Sequence, residues 1–150
     1  MRHALILAGG SGKRLWPMSR AGLPKQLIPF IKGRSLLEIS VARAEGLAPE
    51  ANRWICAAES QREMIVKALG GWPEEQFLGE PVGRDTLNAI GLATAVIALR
   101  DPEAVIAVFT ADHLIEPVAR FREIVRSAYD LVERDPDTLV TFGIAPTGPA

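Results

Sequence analysis

The residues of this 150-residue chain best suited to chemistry lie close together near its N-terminus. Residues 5–30 read LILAGGSGKRLWPMSRAGLPKQLIPF: an apolar run through Leu7 and Ala8, then Gly9-Gly10-Ser11-Gly12, then Lys13, Arg14, Arg20 and Lys25. Glycines can take positive φ and have no side chain to hold a ligand away, so their backbone N–H groups can gather into a nest for an anion. Cations following closely would add mobile positive charge, and a polyphosphate would use both. The same bend also suits a plain strand-to-loop connection with solvated cations. A Walker A loop and a strict GxGxxG are both absent, because Gly10-Ser11-Gly12-Lys13-Arg14-Leu15 lacks the required spacing of each.

Two further places have the right residue types. Asp112 follows the most apolar run of the chain, at a strand's carboxyl end, where a carboxylate can hold Mg²⁺ in a phosphoryl-transfer site or cap the next segment. The loop Glu80-Pro81-Val82-Gly83-Arg84-Asp85-Thr86 carries two carboxylates and an arginine. Asp85 can simply be the N-cap of the following helix, or can offer its carboxylate to a pair of adjacent N–H donors on a ligand. Binding a polyphosphate next to a second anion asks for a phosphate cradle, fixed cations and a hard divalent metal that offset the repulsion.

GGSGKRLWP followed by Pro24-Lys25-Gln26 resembles the signature of the sugar nucleotidyltransferases. Leu15-Trp16-Pro17-Met18-Ser19-Arg20 gives it the form carried by mannose-1-phosphate guanylyltransferases, including the N-terminal half of bifunctional enzymes that also isomerise mannose 6-phosphate. The resemblance implies that GTP and mannose 1-phosphate react to give GDP-mannose and pyrophosphate, with Mg²⁺. It implies that the strand end Leu7, Ala8 and Gly9 and the backbone of Gly10, Ser11 and Gly12, with Lys13, hold the triphosphate. Arg14 would neutralise the departing pyrophosphate, and Lys25 would lie along the α-phosphate and the sugar phosphate. Glu80, Arg84, Asp85 and Thr86 match the family's EPxGRNT segment near the nucleobase, although Asp85 stands where asparagine is common and Leu87-Asn88 replaces a small residue and proline. Thr110-Ala111-Asp112-His113 matches the family's corresponding Asp-His pair, which implies that Asp112 holds the metal; His113 is assigned no chemistry.

The elements that would position these residues are legible as periodicity. Strands are expected at 4–7, 54–58, 76–79, 104–110 and 139–144, short and apolar as in a sheet buried on both faces, with the first strand central. Helices are expected from capping boxes at Ser35-Leu36-Leu37-Glu38 and Ser60-Gln61-Arg62-Glu63, stopping at Gly46 and Gly70-Gly71. A largely buried helix over 86–99, with Ile90, Ala93 and Ile97 inward, and an amphipathic one over 118–133 complete the set. The fold class is therefore α/β, a Rossmann-like parallel sheet with helices on both faces, and the resemblance narrows it to an incomplete nucleotide-diphospho-sugar transferase type. Ligands of such sheets sit beyond the strand carboxyl ends, which puts the glycine bend, the 80–86 loop and Asp112 in one crevice.

Composition bounds the rest. Apolar residues make up 48% and charged residues 23%, and a net charge of −1 gives no global attraction to nucleic acid or membrane. One cysteine, Cys56, sits in an apolar run as a core residue and excludes an internal disulfide. With no targeting or membrane-spanning segment in view, a cytoplasmic protein is expected. Residues 1–150 read as the nucleotide-binding N-terminal part of a transferase domain whose sugar-binding part is missing, a fragment or truncated gene product. A catalytically silent nucleotide-binding module, or a transferase of another sugar or base, are the alternatives; a dinucleotide dehydrogenase fits poorly because Leu15 stands at the third glycine position. Sugar identity and oligomeric state are not encoded in these residues; a homo-oligomer is compatible with them.

Overall fold

The computed structural model describes residues 1–9, 24–83, 85–145 and 148. The elements are β1 (Arg2–Leu7), α1 (Leu36–Ala44), β2 (Arg53–Ala58), α2 (Arg62–Ala68), β3 (Phe77–Glu80), α3 (Asp85–Arg100), β4 (Val105–Thr110) and α4 (Val118–Arg134). The strands form a parallel sheet in the order β3-β2-β1-β4, so β1 pairs on both sides as its apolar run requires. The chain steps outward from β1 to β3 and then returns to lay β4 against the other edge of β1. That reversal opens a crevice between the carboxyl ends of β1 and β4.

Successive strand residues face opposite layers. Ala4, Ile6, Ile55, Ala57 and Phe109 pack under α1, α2 and α4, around Leu37, Ile65, Val125 and Tyr129. Leu5, Trp54, Cys56 and Leu78 face α3, against Ala89, Ala93 and Ile97. Trp72, whose surroundings the sequence left open, packs at the edge of the first cluster, and its indole N–H donates to the Gln76 carbonyl at 3.3 Å. No described helix is long and apolar enough to cross a membrane.

The first capping box forms in full: the Glu38 N–H donates to Ser35 Oγ at 3.2 Å and the Ser35 N–H to the Glu38 carboxylate at 2.7 Å. Gly70 closes α2 at φ +71°, and the Gly71 N–H bonds back to the Val66 carbonyl at 2.9 Å.

Three expectations need correction. Residues 139–144 are not a strand: Leu139, Phe142 and Ile144 are exposed, and Thr141 to Ile144 line an apolar hollow with Phe109, Phe121 and Ile124. An apolar run becomes a strand only where its N–H and C=O groups pair with a neighbouring edge, and this run forms no ladder with the outer edge of β4, which stays open among the described residues. The Ser60 capping box does not form. A 3₁₀ turn over Glu59–Gln61 precedes α2, and Glu59 instead takes a bidentate ion pair from Arg62 at 2.6 and 2.8 Å. Nor is α3 largely buried. Only Ala89, Ala93 and Ile97 are inside, while Leu87, Leu92 and Leu99 are 80%, 39% and 88% exposed, because the helix has a single sheet face to pack on.

Candidate functional site

All four strands end at one cleft of about 670 Å³. Its lining includes Leu7 of β1 and Gly9 beyond it, Cys56 and Ala58 of β2, Glu80 of β3, and Thr110 of β4 and Asp112 beyond it, with Gln61, Asp85 and Thr86 at its sides. Of the residues singled out from sequence, Leu7, Gly9, Glu80, Asp85, Thr86 and Asp112 thus share one cavity. Gly10, Ser11, Gly12, Lys13, Arg14 and Arg84 lie outside the described residues. Ala8 is buried at 1% exposure, its N–H donating to Cys56 O at 2.8 Å and its carbonyl accepting from Gln26 at 2.7 Å.

Lys25 and Asp112 meet at the mouth of the β1–β4 crevice, where the ammonium donates to the Asp112 carboxylate. Each partner reaches that point through its own local structure. Pro24, fixed near φ −59°, feeds a short 3₁₀ turn over Lys25–Leu27 that buries Gln26 and Leu27 and leaves Lys25 outward. Asp112 sits two residues past β4 on a loop held from below by Arg43 of α1, which is only 2% exposed. The Arg43 guanidinium donates to the Thr110 carbonyl at 3.3 Å and the His113 carbonyl at 2.6 Å, bracketing Asp112, and lies 5.1 Å over the Phe121 ring. Ser40 Oγ donates to the same Thr110 carbonyl at 3.3 Å.

The electrostatics of the pair are set by competing causes. Partial burial pushes the Asp112 carboxyl up, but the hydrogen bond and charge of Lys25, with a smaller contribution from His113, outweigh it and hold the group below the usual aspartate value. Asp112 is therefore ionised at neutral pH. Burial lowers the Arg43 value from its ordinary one; a guanidinium nonetheless keeps its charge in proteins, so Arg43 is a cation under the loop. Cys56 lines the cleft floor but is buried, and its thiol is pushed up to about 12, first by burial and then by the Glu80 charge. It is a core residue, as its apolar neighbours implied. Glu80 reaches back across β2, so that a side chain at Gly9 would have its first carbon 3.9 Å from the Glu80 carboxylate.

Asp85 begins α3 with φ at +68°, a left-handed backbone that aspartate tolerates better than most residues. Sequence reasoning missed Arg43, Ser40 and Gln61. A serine and an arginine three apart on a helix otherwise read as apolar were the available signal for the first two; for Gln61 only its position just past a strand end spoke.

Asp112 is the described residue best placed for a metal. Mg²⁺ is ordinarily held by one or two carboxylates together with substrate phosphates and water, which an ionised carboxylate 35% exposed at a cleft mouth suits. Among the described residues no group of three or more His, Cys, Asp or Glu side chains is gathered that could cage an ion without a substrate.

Comparison with known proteins covers nearly all of the chain. The family model described as nucleotidyl transferase matches residues 3–150. The xanthan biosynthesis protein XanB of Xanthomonas campestris is 37% identical over 97% of this chain. A mannose-1-phosphate guanylyltransferase of Escherichia coli is 36% identical over 98%. The chain spans 31% of the length of each of these curated relatives. A crystal structure from Thermus thermophilus, described as a mannose-1-phosphate geranyltransferase, superposes with a TM-score of 0.78 at 32% identity, covering 88% of this chain and 38% of that one.

Proposed function

We propose, from the premise that this chain belongs to the nucleotidyl transferase family, that it is the nucleotide-binding part of a protein joining GTP to mannose 1-phosphate. The products are GDP-mannose and pyrophosphate. The observation that carries the reading is the meeting of Lys25 and Asp112 at the switch point, above a cleft that also gathers Leu7, Gly9, Glu80, Asp85 and Thr86.

In this reading the sugar phosphate oxygen attacks the α-phosphorus of GTP and the pyrophosphate leaves on the opposite side. Lys25 lies along the α-phosphate and the incoming phosphate, offsetting their repulsion, and its position is held by the Pro24 turn. Gly10, Ser11, Gly12 and Lys13 cradle the outer phosphates, Arg14 takes the leaving pyrophosphate, and Arg84 and Thr86 add polar contacts to the nucleotide. Asp112 would hold Mg²⁺, which when bound neutralises phosphate charge. Asp85 accepts the paired N–H groups of guanine. A reaction that consumes GTP puts the protein in the cytoplasm.

Binding and turnover separate this reading from a silent module, which the 31% coverage of the relatives keeps open. Titration of the chain with GTP should show saturable binding that falls at least tenfold in Lys25→Ala, as loss of a charged hydrogen bond to phosphate implies. Pyrophosphate release on adding mannose 1-phosphate and Mg²⁺ supports the transferase; GTP binding without release supports the module. No binding of any nucleoside triphosphate refutes both.

A further inference from the structure

Gln26, 1% exposed, links β1 to the far side of the cleft. Its Nε2 donates to the Ala8 carbonyl at 2.7 Å and to Gln61 Oε1 at 3.1 Å. Two oxygen acceptors on the same side fix the amide, since rotating it by half a turn would set its own oxygen against both. Its Oε1 finds no donor among the described residues, so that side offers nothing to turn it the other way.

The consequence passes to Gln61. With Oε1 taken by Gln26, the Gln61 amide is fixed as well, because the reversed amide would bring two NH₂ groups face to face. Gln61 is half-buried at the end of the 3₁₀ turn after β2 and lines the cleft. What it has left to offer a ligand is Nε2 with its N–H donors, which has no partner among the described residues. In the strand order β3-β2-β1-β4, Lys25 and Asp112 stand over β1 and β4, whereas Gln61 and Glu80 follow β2 and β3. A nucleotide with its phosphates at the first pair directs its base toward the second.

We infer that Gln61 is a specificity-determining residue of the nucleotide site, its fixed Nε2 donating to the O6 acceptor of a 6-oxopurine. This rests on the nucleotide-binding reading above and adds the choice of base to it. Guanine sets O6 beside the N1–H and N2–H donors, and the cleft sets an amide donor in the same cavity as the carboxylates of Glu80 and Asp85. Adenine carries an amino donor where guanine has O6, so it would confront donor with donor and leave both unpaired. The Gln26 bond makes that mismatch costly, since Gln61 cannot turn its oxygen outward without losing its partner.

The test is equilibrium binding of GTP, ITP and ATP to the full chain and to two variants. Gln61→Glu still accepts the Gln26 N–H but presents an acceptor in place of a donor; Gln61→Met keeps the volume with neither. The three nucleotides carry the same phosphates, so ratios between bases cancel any effect of charge on the triphosphate. The wild type should bind GTP and ITP in preference to ATP, because both carry O6. In Gln61→Glu the GTP/ATP and ITP/ATP affinity ratios should each fall by about ten- to a hundredfold, the range of one good base contact. In Gln61→Met they should fall about tenfold, GTP and ITP losing the O6 bond while ATP is relieved of the donor–donor mismatch. Wild-type binding of GTP with both ratios unchanged in both variants overturns the assignment and leaves the nucleotide site intact, as does a wild type that binds GTP and ATP alike. A wild type that binds none of the three overturns the site and this assignment together.

Discussion

Replacing Asp112 with asparagine should strengthen metal-free binding of GTP, although it removes a residue placed in the site. The carboxylate holds Lys25 in the chain without ligand, and a triphosphate must compete for that ammonium while meeting the negative charge of Asp112 itself. The side chains are 25% and 35% exposed, so the pair belongs with solvent-screened ion pairs, worth about 0.5–1 kcal/mol. Releasing that amount to the ligand corresponds to about a twofold to fivefold gain, since 1.4 kcal/mol is about tenfold. Titration calorimetry in EDTA should find the Asp112→Asn variant tighter by that factor at low salt, with the advantage shrinking as ionic strength rises. With Mg²⁺ the order should reverse, because the wild type alone keeps the carboxylate proposed to hold the ion. Weaker metal-free binding by the variant would refute the argument that Lys25 is shared between Asp112 and phosphate. The same pair makes a pH prediction. Because the folded value of Asp112 lies below its ordinary 3.8, its stabilisation is complete above that value and is lost as pH falls through the folded one. The stability difference between wild type and variant should thus be level near neutrality and vanish in acid.

Two further outcomes test the scaffold. Ser35→Ala removes the acceptor for the Glu38 N–H and should lower the unfolding free energy by about 1 kcal/mol in urea titration, with the slope unchanged; an unaltered midpoint would mean the cap contributes nothing. Cys56, buried and with its thiol raised to about 12, should resist a thiol-reactive dye at pH 8 in the folded chain and react at once in denaturant. Rapid labelling of the native chain would show that the cleft floor is open.

The parts of the fold that could be read from the sequence were those in which local signal and tertiary demand agree. The stretches 4–7, 54–58 and 105–109 of β1, β2 and β4 are apolar because helices pack on both faces of the sheet, and Ser35 with Glu38 closes its cap within four residues. Ser60 and Glu63 present the same letters and fail, since the turn that β2 leads into recruits Glu59 and Arg62 first, a competition that spacing alone does not reveal. Residues 139–144 and the outer surface of α3 fail for a related reason. Apolar composition states what a segment can bury, while its neighbours decide whether it does. The place of Asp112 in the crevice was foreseeable as a property of strand ends in parallel sheets, whereas that of Lys25, far past the end of β1, rested on the resemblance of its Pro24-Lys25-Gln26 segment. Arg43 under the Asp112 loop and the Gln26-Gln61 relay were not, because each depends on contacts between residues 35 to 70 positions apart whose partners are backbone carbonyls or an amide.

The pairing of β1 with β4, which matches Leu7 to Thr110, also governs how the molecule is made. During synthesis β1 must wait for about a hundred more residues before β4 exists, so the crevice cannot close until Val105–Thr110 has been made. Such long-range closure is slow compared with helix or hairpin formation, and in the interval β1 offers one unpaired apolar side to whatever is nearby. A polypeptide halted before residue 105 would carry the glycine-rich run and Lys25 but lack the strand that completes the crevice.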